Sequence, residues 1–315
     1  MAIPAEAFET DRRMLWGLCY RMTGNAADAD DLVQETFVKA IEHPPRNTDA
    51  PLRPWLIRVA MNLSRDYLRR RRRRSYTGPW LPSPVPTGDA ESPASYEPPA
   101  PSEDSPAARY ELIESISFAF LLALEALTPS QRAVLLLRDV FDYSTEETAA
   151  ALDLTEANVK VLLYRARGKM REYDKSKAAF TPARREATAR ALEQFLLYLG
   201  ARDAEGLERL LAEDVTSISD GGGEVAAALQ IIRGRSKVLR LILAISQKTV
   251  GESRVYFRDL NGRPAIIFDE VNSRATRATR YTLHVEVDDA GRIRNLDAVL
   301  APSKLTAIDR PPGLV

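Results

Sequence analysis

The chain has 315 residues, enough at about 100–200 residues per domain for two or three units that each bury a core. Its 44 basic and 44 acidic residues cancel, so local clusters of charge rather than a global field decide what it meets. One cysteine, Cys19, excludes an internal disulfide, and two distant histidines, His43 and His284, supply no metal cluster. With no apolar run near the roughly 18 residues that span a bilayer, and no signal pattern at the start, a cytoplasmic protein without metal, cofactor or membrane contact is expected.

Phe8, Leu15, Leu18, Cys19 and Met22 predict a first helix that stops at Thr23-Gly24-Asn25. Asp28, Asp30 and Asp31 load the first turn of a second helix, where the dipole favours negative charge; Leu32, Val33, Phe37 and Ile41 are its predicted buried face. Its other face, with Asp31, Gln34, Glu35 and Lys39, is a poor surface for DNA and a fair one for a protein. Prolines 44, 45 and 51 break the helical pattern.

Between Leu52 and Arg74, Trp55, Leu56, Val59, Ala60, Leu63, Tyr67 and Leu68 recur at helical spacing, and the helix runs into six consecutive arginines. Such a run is either solvated or laid against a polyanion, and the aromatic-bearing helix leading into it favours the polyanion. Aromatic and guanidinium groups together suit unstacked bases as well as duplex phosphates. Residues 75–106 hold nearly half of the 20 prolines and form a linker, yet Tyr76, Trp80 and Leu81 give it the look of a docking segment.

A helix is expected from Ala107 to about Ala126, then another capped by Thr128-Pro129. Ser144 with Glu147 is a capping-box start, a break falls at Asp153-Leu154, and Thr155 restarts a helix that buries Val159, Leu163, Ala166 and Met170. Its outer face shows Asn158, Lys160, Tyr164, Arg165, Arg167 and Lys169. That is a helix-turn-helix able to hold phosphates and reach base edges, or else two amphipathic helices of an ordinary bundle. Residues 175–184 read as a connector. Beyond it, two helices (185–199, 204–211), a third at 237–246, and strand-like runs at 214–219, 253–258, 265–269, 280–287 and 293–299 predict an α+β body. Gly221-Gly222-Gly223 demands unusual backbone angles or a close approach by another group.

DADDLVQETFVKA, RPWLIRVAMNLSRDYLRRRRR and STEETAAAL…VKVLLYRARGKMRE resemble regions two and four of bacterial extracytoplasmic-function RNA polymerase sigma factors, across about residues 8–174. The C-terminal part resembles the SnoaL-like extension, of the nuclear-transport-factor-two type, of the SigJ-like subgroup. Trp80-Leu81-Pro82-Ser83-Pro84 is similar to its WLPEP motif, Asp220-Gly221-Gly222-Gly223-Glu224 to DGGGK, and Ala301-Pro302-Ser303-Lys304-Leu305 to NPDKL. The fold implied is multidomain: two all-α sigma domains (1–74 and 107–174) joined by the proline-rich linker 75–106, then the connector and an α+β SnoaL-like domain at 185–315.

The resemblance implies core RNA polymerase, through its β′ clamp and β flap, and promoter DNA as partners. Asp31, Gln34, Glu35 and Thr36 would face the clamp. Arg53, Trp55, Asn62, Arg65, Arg69 and Arg70 would take a flipped base and phosphates at the minus-ten element; Asn158, Lys160, Val161, Tyr164 and Arg165 would read the minus-thirty-five element. Tyr76, Trp80, Leu81 and Pro82 would dock on Asp220, Gly221, Gly222, Gly223, Lys304 and Leu305, so that the C-terminal domain regulates the factor in cis. Glu224 stands where the motif has lysine, and of the terminal motif only proline, lysine and leucine remain. Two other readings compete. One is a ligand-sensing helix-turn-helix regulator that works without polymerase; the other is a SnoaL-type enzyme, for which Asp220, Asp269, His284 and Asp297 are the acid–base candidates.

Overall fold

The computed structural model describes residues 5–45, 52–71, 76–87, 111–176, 181–248, 253–270 and 278–308. The chain forms two compact units. One comprises Met1–Ser75 and Thr87–Lys177, the other Tyr76–Pro86 and Ala178–Val315.

The first unit is helical. Helix α1 (Ala5–Thr23) ends at Gly24, whose φ of +67° turns the chain, and Asn25 then caps α2 (Ala26–Glu42) by accepting from the Asp28 amide. Helix α3 (Leu52–Arg71) packs its Leu56, Ala60 and Leu63 with Leu15, Leu18 and Met22 of α1 among the buried residues. Cys19 belongs to this core, and burial pushes its thiol up to about 12, leaving it unreactive. Ile41 departs from the expected pattern. It is 65% exposed, and Phe37 is half-buried, because the inward stripe of α2 runs through Leu32, Val33, Thr36 and Ala40 instead.

The single helix expected up to Ala126 is two pieces. A 3-10 turn (Glu114–Ile116) precedes α4 (Phe118–Leu124), separated by Ser117, whose extended ψ of 150° lets its hydroxyl cap Phe120; residues 107–110 lie outside the described residues. Thr128 and Gln131 form a capping box on α5 (Pro129–Asp139). Ser144 and Glu147 form another on α6 (Thr145–Leu152), and Asp153 at φ +55° turns the chain into α7 (Glu156–Ser176). Val159, Leu163, Ala166 and Met170 of α7 are buried as their spacing predicts.

Two buried arginines tie the first three helices to the rest of this unit. Arg21 donates to the Ser115 hydroxyl (2.7 Å), the Gly17 carbonyl (3.0 Å) and the Leu112 carbonyl (3.1 Å), with its guanidinium 5.3 Å from the Phe141 ring centre. Arg132 donates to the Met22 carbonyl (2.7 Å) and Glu125 (2.7 Å).

In the second unit α8 (Pro182–Ala201) starts within the stretch read as a connector, because Thr181 caps it with proline in its first turn. Helices α9 (Ala204–Leu210) and α10 (Arg235–Lys248) lie with α8 against one face of a six-stranded sheet. The strands are β1 (Leu211–Asp220), β2 (Ile232–Arg233), β3 (Ser253–Leu260), β4 (Arg263–Glu270), β5 (Arg280–Val287) and β6 (Ile293–Val299), in the order β2-β1-β6-β5-β4-β3. Only β1 and β6 run parallel. Leu192, Phe195, Leu207 and Val238 from the helices meet Val215, Ile266, Phe268, Leu283, Val285 and Leu296 from the sheet. Alternation along the strands leaves Asp220, Thr282, His284 and Asp297 on the opposite face. Asn261-Gly262, both at positive φ, closes the β3–β4 hairpin.

Ser144→Ala removes the acceptor for the Glu147 amide at the start of α6. It should cost about 1 kcal/mol, read as faster hydrogen exchange of the α6 amides with the sheet unit unchanged.

Candidate functional site

On α7, Asn158, Lys160, Val161, Tyr164 and Arg165 are all exposed and lie along one side of the helix; Tyr164, at 76% exposure, stands furthest out. Two other residues expected on that face serve the fold instead. Arg167 clamps the buried Asp139 with both arms (2.9 and 2.6 Å), and Lys169 donates to the Ala126 carbonyl. The remaining face keeps apolar, aromatic, amide and cationic groups together, the set that reads base edges and phosphates.

Helix α3 carries the second basic surface. Trp55 and Asn62 are half-buried, while Arg69 and Arg70 are exposed, with Arg69 bonded to Asp66 (2.8 Å). Arg53 lies in the first turn of α3 and is paired with Asp11 (2.6 Å). Arg65 is engaged within the unit: one guanidinium nitrogen donates to Asn62 (3.2 Å) and to the Leu152 carbonyl at the end of α6 (3.1 Å). Arg58, not singled out from the sequence, pairs with Asp153 at the adjoining turn (3.1 Å). The α3 surface and the turn of the helix-turn-helix therefore clasp one another. Arg72, Arg73 and Arg74 lie outside the described residues.

On α2, Asp31, Gln34 and Glu35 are exposed, together with Val38 and Ile41. Thr36, expected beside them, is instead fully buried and donates to the Leu32 carbonyl (2.7 Å), so it cannot meet a partner.

Within the second unit the segment 76–86 is bound by the sheet. Asp220, at the end of β1 and fully buried, accepts from the Tyr76 hydroxyl (2.7 Å), the Leu81 amide (2.7 Å), the Gly222 amide (3.0 Å) and the Lys304 ammonium (2.6 Å). Lys304 also donates to the Leu81 carbonyl (2.5 Å) and lies 4.9 and 4.6 Å from the Tyr76 and Trp80 ring centres, a cation between two aromatic faces. Leu81, Pro82 and Leu305 are buried.

The triple glycine meets both demands read from the sequence. Gly222 and Gly223 have φ of +59° and +80°, and a Cβ would come within 3.1 Å of Ala301 at Gly222 and 3.2 Å of Thr77 at Gly223. At Gly221 a Cβ would lie 2.5 Å from the Val225 carbonyl. At the far end Val85 exchanges two hydrogen bonds with Asn261 (2.9 Å each), so the Asn-Gly turn also docks the segment. Two of the departures from the family motifs pair with each other: Glu224 accepts from the Ser303 hydroxyl (2.5 Å) and amide (3.2 Å).

The four acid–base candidates fall into three settings. Asp220 is engaged as above, and Asp269 is clamped by Arg280 (2.5 and 2.8 Å). His284 and Asp297 are cross-strand partners. Burial holds His284 down at about 3, while burial, with repulsion from Glu286 second, pushes Asp297 up to about 8, so both are neutral at pH 7. No helix among the described residues is long and apolar enough to cross a membrane.

Residues 7–74 match the Sigma-70 region 2 family and residues 117–170 the Sigma-70 region 4 family. The chain is 34% identical over 245 residues to the ECF RNA polymerase sigma factor SigJ of Mycobacterium tuberculosis, covering 76% of this chain and 72% of that one. It is 37% identical over 216 residues to SigG of the same organism, covering 64% of this chain and 56% of that one. The crystal structure of Mycobacterium tuberculosis SigJ superposes with a TM-score of 0.71 at 29% identity, over 96% of this chain and 99% of that one. Two sigma modules in order, followed by a SnoaL-like sheet domain, make this chain a member of the extracytoplasmic-function RNA polymerase sigma factors, and its role lies in transcription initiation.

Proposed function

We propose that the protein carries core RNA polymerase to promoters read at two elements and is restrained in cis by its own C-terminal domain. The polymerase clamp would take the α2 face of Asp31, Gln34 and Glu35, with Val38 and Ile41 supplying apolar area. Unpaired bases of the minus-ten element would stack at Trp55 and meet Asn62, while Arg65, Arg69 and Arg70 neutralise phosphates. The exposed face of α7 would read the minus-thirty-five element. Region 4 would also meet the β flap.

One observation carries the regulatory part. The chain joining α3 to α4 is anchored in the sheet domain through Asp220, which takes two of its four hydrogen bonds from that joining segment. With Arg65 bonded to Leu152, a guanidinium that would hold promoter phosphate is engaged within the unit. Polymerase would open the clasp and draw the tether out. A regulator acting without polymerase has no use for the α2 face or for an aromatic-bearing basic α3.

Run-off transcription and co-purification with core polymerase test the reading. The full chain should bind core enzyme and initiate at a defined promoter set; no binding would end it. Arg165→Ala should weaken promoter binding by the polymerase complex by about 1–3 kcal/mol, roughly tenfold to hundredfold, without loss of core binding.

The paired change Asp220→Asn with Lys304→Met removes the anchor without stranding a buried charge. It should raise core binding several-fold at limiting polymerase. Unchanged binding, in a chain whose 76–86 segment becomes cleavable by protease, would remove the regulatory claim and leave the sigma activity standing.

A further inference from the structure

The sheet face opposite the helices holds polar groups that neither promoter recognition nor the tether anchor uses. Ile218, Asp297, His284 and Ala265 form one row across β1, β6, β5 and β4, and Val299 and Thr282 belong to the next row. Asp297 is only 8% exposed, and its Oδ1 has no hydrogen-bond partner; the hydroxyl of Thr282, diagonal to it across the strand pair, has none either. Two buried polar groups on one face without a hydrogen-bond partner carry an appreciable cost.

On the other side of Asp297 the face is closed by a bonded row. Thr216 donates to Asn295 (2.9 Å) and Asn295 donates to Glu286 (3.0 Å).

The charges around this spot favour one kind of guest. From β5 the facing groups are His284 and Glu286; from β1, Asp220, already paired with Lys304; from β4, Arg263, 3.8 Å from Glu286; and from β3, Arg258 beside Ala265. Residues 81–85 of the bound segment carry no titratable side chain. Glu286 is the neighbouring charge that disfavours ionisation of Asp297, and a cation bound beside Asp297 would offset that repulsion. Ile218, Val299 and Ala265 on the same face supply walls for an alkyl group.

We propose that this face of the SnoaL-like domain binds a small organic cation, a primary alkylammonium, whose N–H groups donate to the Asp297 carboxylate and the Thr282 hydroxyl. Binding converts the neutral carboxylic acid to carboxylate and releases one proton to solvent, while the ammonium keeps its own. Below the pH at which Asp297 ionises in the empty protein, affinity must therefore rise with pH, about tenfold per unit, and level off above about 8.

The full chain titrated with propylammonium chloride at pH 6, 7 and 8, in two buffers of different ionisation enthalpy, tests this. Sodium chloride at equal ionic strength and 1-propanol are the controls. Expected are saturable heat, release of close to one proton at pH 6 and 7, and no binding of propanol. Asp297→Asn should abolish the pH dependence and most of the affinity, and Thr282→Val should weaken binding with the pH dependence retained. Absence of saturable binding, equal binding of propanol, or an affinity indifferent to pH in the unmutated chain would overturn the proposal. Core polymerase binding, measured on the same samples, reports separately on the sigma activity.

Discussion

A carboxylate and an ammonium, 2.6 Å apart and almost wholly removed from water, organise the second unit. A buried ion pair is a weak source of stability, because desolvating both charges consumes most of their attraction. What it supplies here is a position. Asp220 accepts two of its hydrogen bonds from Tyr76 and Leu81, and Lys304 takes the Leu81 carbonyl and both ring faces from the same segment. The ion pair and the Gly222 contact involve no atom of the segment. An anchor of this kind holds one specific segment.

The first unit applies the same logic at lower strength. The contacts of Arg58 and Arg65 with the end of α6 are exposed or half-buried, and such contacts contribute about 0–1 kcal/mol each. Yet a guanidinium bonded to a main-chain carbonyl cannot hold a phosphate in the same geometry. Weak contacts can thus compete effectively with another ligand when they occupy the groups that ligand would need.

Helices, caps and turns were legible because local chemistry fixes them. Ser144 with Glu147, Thr128 with Pro129, and the apolar spacing of α7 each specify a structure within four residues. The errors arose where tertiary packing overrides that local logic. Ile41 has the right spacing for a core residue, but the stripe of α2 shifts by one position toward Thr36 and Ala40, which leaves Thr36 inside. The helix expected from Ala107 is divided by Ser117, a residue equally able to sit inside a helix or cap a new one. At the candidate sites, single residues gave the chemistry and the register gave the company. Nothing local distinguishes Asp297, brought beside His284 by strand pairing, from Asp269, clamped by Arg280. Glu224 read as a charge reversal that would break a motif; its partner Ser303 lies 79 positions away, and only the fold shows that the two changes meet.

The two buried arginines bear on how the helical unit opens. Arg21 and Arg132 join the first three helices to the segments after residue 111 through hydrogen bonds to carbonyls, a hydroxyl and a carboxylate, not through a continuous apolar seam alone. Burial holds Arg21 down at about 10, still charged at neutral pH, so the charge is carried into the interior at a cost. Separation of the two halves, as proposed for polymerase engagement, returns both guanidiniums to water and recovers that cost. An interface of leucines of the same area would expose apolar surface on opening and resist it by about 25 cal/mol for each Å². Hydrogen-bonded arginines therefore fix the register of the two halves while adding less apolar surface between them than leucines would.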